Sequence, residues 1–181
     1  MRFCDSQNLT INEANQALMP TTPLPWTMFS EGDAAPDFTA ILQDGRPFHL
    51  QEALKESGVI LYFYPKDSTP GCTTQACDFR DAKDTFDGAG WRVIGVSRDS
   101  EASHQRFIDA QGLNFDLIVD ADTSLHELYG AWGEKTNYGK TYMGAIRSTF
   151  VISKDGIVQW AGRNVRAKGH VSRVLNELDL E

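Results

Sequence analysis

Six consecutive apolar residues, Val59-Ile-Leu-Tyr-Phe-Tyr64, lead within a few positions into Thr69-Pro70-Gly71-Cys72 and then into helical spacing. A short apolar run rich in β-branched and aromatic side chains, with no polar alternation, reads as a strand buried on both faces. Such a strand needs a covering layer on either side, which an α/β architecture supplies. Thr69 stands at the N-cap of the helix that follows, and Pro70 at its first position, where an N–H would have no helical partner. Cys72, Ala76, Phe79 and Phe86 recur at i, i+4, i+7 and i+14, which gives that helix one apolar face.

The rest of the chain continues the alternation. Asp37 to Leu50 predicts two short strands joined at Asp44-Gly45, and Asp155-Gly156 joins a second pair, Thr149–Ile152 and Ile157–Trp160. Trp91–Ser97 and Phe115–Val119 read as strands; Ser100–Gln111 (stopped by Gly112), Ser124–Tyr129 and Gly169–Leu178 read as helices. Trp132 to Tyr142, rich in Gly and Tyr, reads as a loop that either packs on the body or borders a site. The expectation is a mixed central sheet flanked by helices, with an N-terminal β-hairpin. In such sheets, sites collect at strand C-termini and helix N-termini, and Cys72 falls at such a junction. Residues 1–27 read differently: Met19-Pro-Thr-Thr-Pro-Leu-Pro25 can neither continue a helix nor pair centrally in a sheet. This segment is expected to be a poorly ordered N-terminal extension of a domain over 28–181, with Met28 a candidate start of translation.

Charge and cysteine usage exclude several classes. Lys plus Arg is 17 against 25 for Asp plus Glu, a net charge of −8. That surface repels phosphate backbones, and no Lys/Arg cluster is read as offsetting it locally, so nucleic acid is not an expected partner. The longest apolar run falls far short of the roughly 18 residues that span a bilayer, so no membrane association is expected. Cys4, Cys72 and Cys77 are too few for a disulfide framework, and no apolar signal region precedes residue 28. The expected location is the cytoplasm. His49, His104, His126 and His170 lack metal-ligand spacing and read as surface or core histidines; neither metal nor cofactor is expected.

A thiol in the first turn of a helix faces unpaired backbone N–H groups and the positive end of the macrodipole, which favour an anionic sulfur. A cysteine beside a buried strand is also commonly a small core hydrophobe, and position alone leaves that use open. Cys77 lies five residues on. In an ideal helix that offset is about 140° and about 7.5 Å of rise, so the Cα atoms lie roughly 8.6 Å apart, beyond the ~7 Å limit for a disulfide. The two cysteines therefore cannot bond while the helix is intact. Any bond between them would require its first turn or two to unwind. A second buried thiol without a partner is the plain alternative.

Pro65-x-x-x-Thr69-x-x-Cys72 resembles the active-site motif of the peroxiredoxins, and the longer run from Phe63 to Cys77 is similar to their bacterioferritin-comigratory (Q-type) subgroup. Further similar blocks are Gly32-Asp33-x-Ala35-Pro36-x-Phe38, Trp132-Gly-Glu-Lys135, Tyr138-Gly-Lys140, and Arg147-Ser-Thr-Phe-Val-Ile152 before Asp155-Gly156. The resemblance extends over residues 29–178. It implies a thioredoxin-like fold and a thiol peroxidase, free of cofactor, acting on hydrogen peroxide and organic hydroperoxides. By that resemblance Cys72 is the peroxidatic cysteine and Cys77 the resolving one, which pair after peroxide attack and are reduced by thioredoxin or a similar dithiol protein. Thr69 would hydrogen-bond the peroxide, Pro65 would shield the sulfur from water, and Arg147 would hold and polarise the thiolate. An intrachain disulfide permits the expected monomer. Each residue also has a plain use: Thr69 as a cap, Pro65 as a strand terminator, Arg147 as a surface charge. Two rival readings are a thioredoxin-type disulfide oxidoreductase, which would need the C-x-x-C that is absent here, and a non-catalytic thioredoxin-like binding module with redox-sensing cysteines.

Overall fold

The computed structural model describes residues 29–181; the extension predicted over 1–27, with Cys4, and the start at Met28 lie outside the described residues. The order begins β1 (Thr39–Leu42), β2 (Pro47–His49), α1 (Leu50–Glu56), β3 (Gly58–Phe63), α2 (Pro70–Gly88), β4 (Trp91–Ser97) and α3 (Glu101–Gln111). It continues with β5 (Asp116–Val119), α4 (Ser124–Leu128), β6 (Trp132–Asn137), β7 (Lys140–Ala145), β8 (Ser148–Ile152), β9 (Val158–Gly162) and α5 (His170–Glu177). Seven strands form one sheet in the order β2-β1-β5-β4-β3-β8-β9. β3, β4 and β5 run parallel at its centre, while β8, β9, β1 and β2 add antiparallel edges.

Every residue of β3 is buried, as the unbroken apolar run predicts. Side chains alternate across a strand, and the two sets enter two cores. Val59, Leu61 and Phe63 meet Leu50 and Leu54 of α1 and Leu125 of α4, whereas Ile60, Tyr62 and Tyr64 meet α2, Phe107 of α3, and Val171 and Val174 of α5. All four positions of the predicted stripe on α2, Cys72, Ala76, Phe79 and Phe86, are buried. Ser100 caps α3 by accepting from Ser103 N, and Gly112 ends it in the left-handed region at φ 61°.

Two elements differ from the sequence reading. The N-terminal hairpin ends at His49, and Leu50 opens α1, a seven-residue helix burying Leu50, Ala53 and Leu54. Trp132 to Tyr142 is not a loop: β6 and β7 form a separate two-stranded hairpin. Its turn places both Tyr138 (φ 49°) and Gly139 (φ 75°) in the left-handed region, which matches the twist of a two-residue hairpin. Neither face of this hairpin is fully covered, and Tyr138 is 98% exposed. Among the described residues no helix is long and apolar enough to cross a membrane.

Candidate active site

The site forms where β3 runs out and α2 begins. Cys72 is the third residue of α2 and is 2% exposed. Thr69 occupies the N-cap position, but its hydroxyl donates to the Lys66 carbonyl (2.9 Å) and caps nothing. Thr73 N bonds the Thr69 carbonyl (2.8 Å), Pro70 has no N–H, and the N–H groups of Gly71 and Cys72 have no protein partner among the described residues. The turn that carries the sulfur therefore has two unpaired donors and the positive end of the helix. Pro65 and Thr69, both half-buried, belong to the loop that leads from β3 into this turn.

Arg147 immediately precedes β8, which pairs antiparallel with β3 and so carries the guanidinium back to the end of β3. Its Nη2 donates to Cys72 Sγ at 3.3 Å, and its Nη1 donates to Gln75 Oε1. One planar fork thus ties the sulfur to a buried amide of the same helix. Gln75, fully buried, was not picked out from the sequence. The signal was there: a polar residue one position before Ala76, on the apolar side of α2. Gln75 Nε2 and the Tyr62 hydroxyl are buried on this same side of the sheet with no partner among the described residues. Burial, then the neighbouring Cys72 and Asp67, push the Tyr62 phenol well above its ordinary range.

The loop before α2 is held from beneath by a second group absent from the sequence reading. Ser68 sits at φ 60°, a conformation that needs external support. Asp67 provides the anchor: it accepts from the Tyr64 hydroxyl (2.6 Å) and Ser103 Oγ (2.9 Å), and lies 2.8 Å from His104 Nδ1. Its own N–H donates to Asp99 (2.9 Å). His104 Nε2 faces the Ile118 carbonyl, which can only accept, so that nitrogen carries hydrogen. Burial pushes the Asp67 carboxyl up, but hydrogen bonds from His104 and Tyr64 outweigh it and hold the group below the usual carboxylate range.

Cys77 is half-buried one and a half turns further along α2, its thiol directed to Gln111 Oε1 (3.6 Å) at the end of α3. Both cysteines are free, and the intact helix keeps them apart. Of the five expected site residues, the structure brings Cys72 and Arg147 into contact, has Thr69 at the N-cap of the same helix and Pro65 in the loop before it, and directs Cys77 to Gln111. The β6–β7 hairpin, suspected of bordering the site, delivers the chain to Arg147, but no hydrogen bond joins it to Cys72.

On the same face of β8, two residues past Arg147, Thr149 Oγ1 bonds His170 Nε2 (2.8 Å). Burial, with Arg147 and Arg173 adding to it, lowers His170 to about 4 from an ordinary 6.5. The unfolded chain therefore binds a proton that the folded chain excludes. Stability from this group is complete above about pH 6.5 and is lost as pH falls towards 4, by up to about 3 kcal/mol. Asp67 and Asp120, both held low by buried histidine partners, lose stability in the same direction. Urea unfolding at pH 7 and pH 4.5 should show a smaller acid loss for His170→Gln than for the unaltered protein; equal losses would exclude His170 as a source.

The reading that no basic cluster offsets the negative charge is corrected here. Arg163, Arg166, Lys168 and Arg173 line one cleft beside the start of α5. They are spaced over a loop and the first turn of a helix, and the fold gathers them. Among the described residues no group of three or more His, Cys, Asp or Glu side chains is placed to hold a metal ion.

Residues 31–161 match the AhpC/TSA family. The chain is 44% identical to peroxiredoxin Bcp of Bacillus subtilis, over 81% of this chain and 93% of the relative. It is 42% identical to peroxiredoxin Bcp of Escherichia coli, over 81% and 94%. The structure superposes on that of the Xanthomonas campestris bacterioferritin comigratory protein, described for its alkyl peroxide reduction activity, with a TM-score of 0.74 and 41% identity over 78% of this chain and 90% of the other. A cysteine variant of PrxQ from Xylella fastidiosa gives a TM-score of 0.78 at 34% identity, over 83% and 96%. The chain belongs to the AhpC/TSA family, as a peroxiredoxin of the bacterioferritin-comigratory (Q-type) group with the thioredoxin-like fold. Peroxiredoxins are peroxidases, so the class is that of an oxidoreductase.

Proposed function

We propose that Cys72 reduces hydrogen peroxide and organic hydroperoxides, that Cys77 resolves the product, and that a thioredoxin-like dithiol protein restores both thiols. The carrying observation is the 3.3 Å contact between Arg147 Nη2 and Cys72 Sγ at a helix start with two free N–H donors. The ionised sulfur attacks the distal peroxide oxygen. A sulfur–oxygen bond forms as the oxygen–oxygen bond breaks, so sulfur loses two electrons and the peroxide gains them. The departing alkoxide or hydroxide then takes a proton. Charge moves from sulfur to oxygen in that step, and the fixed guanidinium can follow it without reorganising. The Thr69 proton is committed to the Lys66 carbonyl, which leaves its oxygen free to accept the O–H of a hydroperoxide. Pro65, without an N–H, closes the loop side against water.

Cys72 is left as a sulfenic acid. The first turns of α2 unwind, the Cys77 thiol displaces the hydroxyl as water, and a Cys72–Cys77 disulfide forms. A dithiol reduces it by exchange, in the reduced cytoplasm and with the protein as a monomer. The free state of both cysteines and the separation imposed by α2 support this order of events. Mass spectrometry after one equivalent of peroxide should locate a Cys72–Cys77 bond. Cys77→Ser should consume one equivalent of peroxide at the unaltered rate and then fail to turn over with thioredoxin. Full coupled turnover by that variant would remove Cys77 from the cycle.

A further inference from the structure

The stretch from Gly162 to Asn176 contains four cations and no carboxylate, in a chain whose net charge is −8. An excess of one sign against the overall charge is a local feature with its own consequence for small ions. These cations line an open cleft of about 290 Å³. Arg163 is occupied, donating to the Tyr129 and Phe29 carbonyls and lying over the Phe150 ring. Arg173 lies over Trp160, with Glu177 at 3.7 Å. Arg166 and Lys168 are exposed and have no ion-pair or hydrogen-bond partner among the described residues. The start of α5 faces the same cleft with no acidic residue in its first turn and no side-chain cap.

The loop that lines this cleft is tied to the residues around the reacting sulfur. Val165 N donates to the Arg147 carbonyl (2.9 Å), which fixes the loop to the arginine that holds Cys72. A Cβ placed on Gly71 would lie 3.4 Å from Arg147 Nη2 and 3.7 Å from the Ala167 Cβ. Ala167 therefore lies one methyl group's contact away from Gly71 in the first turn of α2, and in the chain it stands between Arg166 and Lys168. A small apolar step, Val165 and Ala167, connects a cationic cleft to a peroxidatic thiol.

We infer that the Arg166–Lys168 cleft is a substrate subsite that binds the carboxylate of an organic hydroperoxide, with its alkyl chain lying over Val165 and Ala167 and its peroxide at Cys72. This assignment rests on the peroxidase reading above. The cleft has room for one anionic head group and part of a chain, and the remaining negative surface disfavours a polyanion. The cations act on binding and encounter; the electron transfer is the one already written.

The test compares a hydroperoxyoctanoic acid with its methyl ester. The acid should show a kcat/KM about fivefold above the ester at low salt, and the ratio should fall towards one in 0.5 M salt, as expected for partly exposed charges. Arg166→Glu/Lys168→Glu should reduce or invert the acid-to-ester ratio. Equal values for acid and ester, or a ratio untouched by the double variant, would overturn the subsite while leaving the peroxidase reading standing. A double variant that changes only the KM for the reductant would overturn it too, and would mark a protein-docking face instead. Failure to consume either hydroperoxide would count against the peroxidase reading, and the subsite would then be judged on binding alone. For that purpose octanoate, but not octanol, should shift the amide resonances of Val165 to Gly169; no shift with octanoate would overturn the assignment.

Discussion

Replacing Cys72 by serine is expected to abolish peroxide consumption, including the first turnover. The Arg147 guanidinium bonds the sulfur at 3.3 Å, and the free N–H groups of Gly71 and Cys72 give the same helix turn its positive end. Losing one preorganised donor of this kind commonly costs about a hundredfold in rate, so the guanidinium and the helix start together are expected to account for on the order of 10⁴. Serine oxygen cannot take up an oxygen atom from peroxide as sulfur does, so the donors are left without a nucleophile. Of the two cysteines that remain, Cys4 and Cys77, the latter faces Gln111 rather than the guanidinium and should react like an ordinary cysteine. Following peroxide loss with excess reduced protein checks this. Rapid consumption by Cys72→Ser would move the chemistry to another residue.

The second large effect is expected at Arg147. Arg147→Met should slow the reaction of Cys72 with peroxide by about a hundredfold, and Arg147→Lys by about tenfold, because an ammonium keeps the charge but cannot bond Sγ and Gln75 in one rigid fork. Arg147 is half-buried at the edge of β8, outside both cores, so the fold should survive the change. Far-ultraviolet circular dichroism and single-turnover peroxide kinetics on the same samples separate loss of chemistry from loss of structure. An unchanged rate constant in a folded Arg147→Met would show that the guanidinium has no part in the step.

Several of these features could be read in the chain before any coordinates. β3 was legible because burial on both faces removes all alternation from its sequence, and both β-hairpins of the main sheet were legible from their Asp-Gly turns. α1 was missed because seven residues hold only two helical turns, and Leu50 fits the preceding strand as well as the helix. The β6–β7 hairpin was missed for the opposite reason. Both its faces meet solvent, so no period of two appears, and Tyr138-Gly139 is a weaker turn signal than Asp-Gly. The site divides in the same way. Pro65, Thr69 and Cys72 lie within one local motif whose chemistry follows from a helix start. Arg147 lies 75 positions from Cys72 and meets it only because β8 runs antiparallel beside β3. It was named through family resemblance rather than through spacing. The Asp67–His104 anchor depends on α3 covering the loop, and the basic cleft depends on a loop folding against the start of α5. Neither leaves a periodic trace in sequence.

The central claim is that a sulfur at the start of α2, held by Arg147, reacts with peroxide far faster than a thiol in water. Stopped-flow measurement of reduced protein with hydrogen peroxide tests it directly, with free cysteine as the reference and rates expressed per thiolate. The expected second-order rate constant exceeds that of the free cysteine thiolate by at least about a hundredfold, the factor assigned to one preorganised donor. A constant equal to that of free cysteine thiolate would contradict the account and would favour a thioredoxin-like binding module.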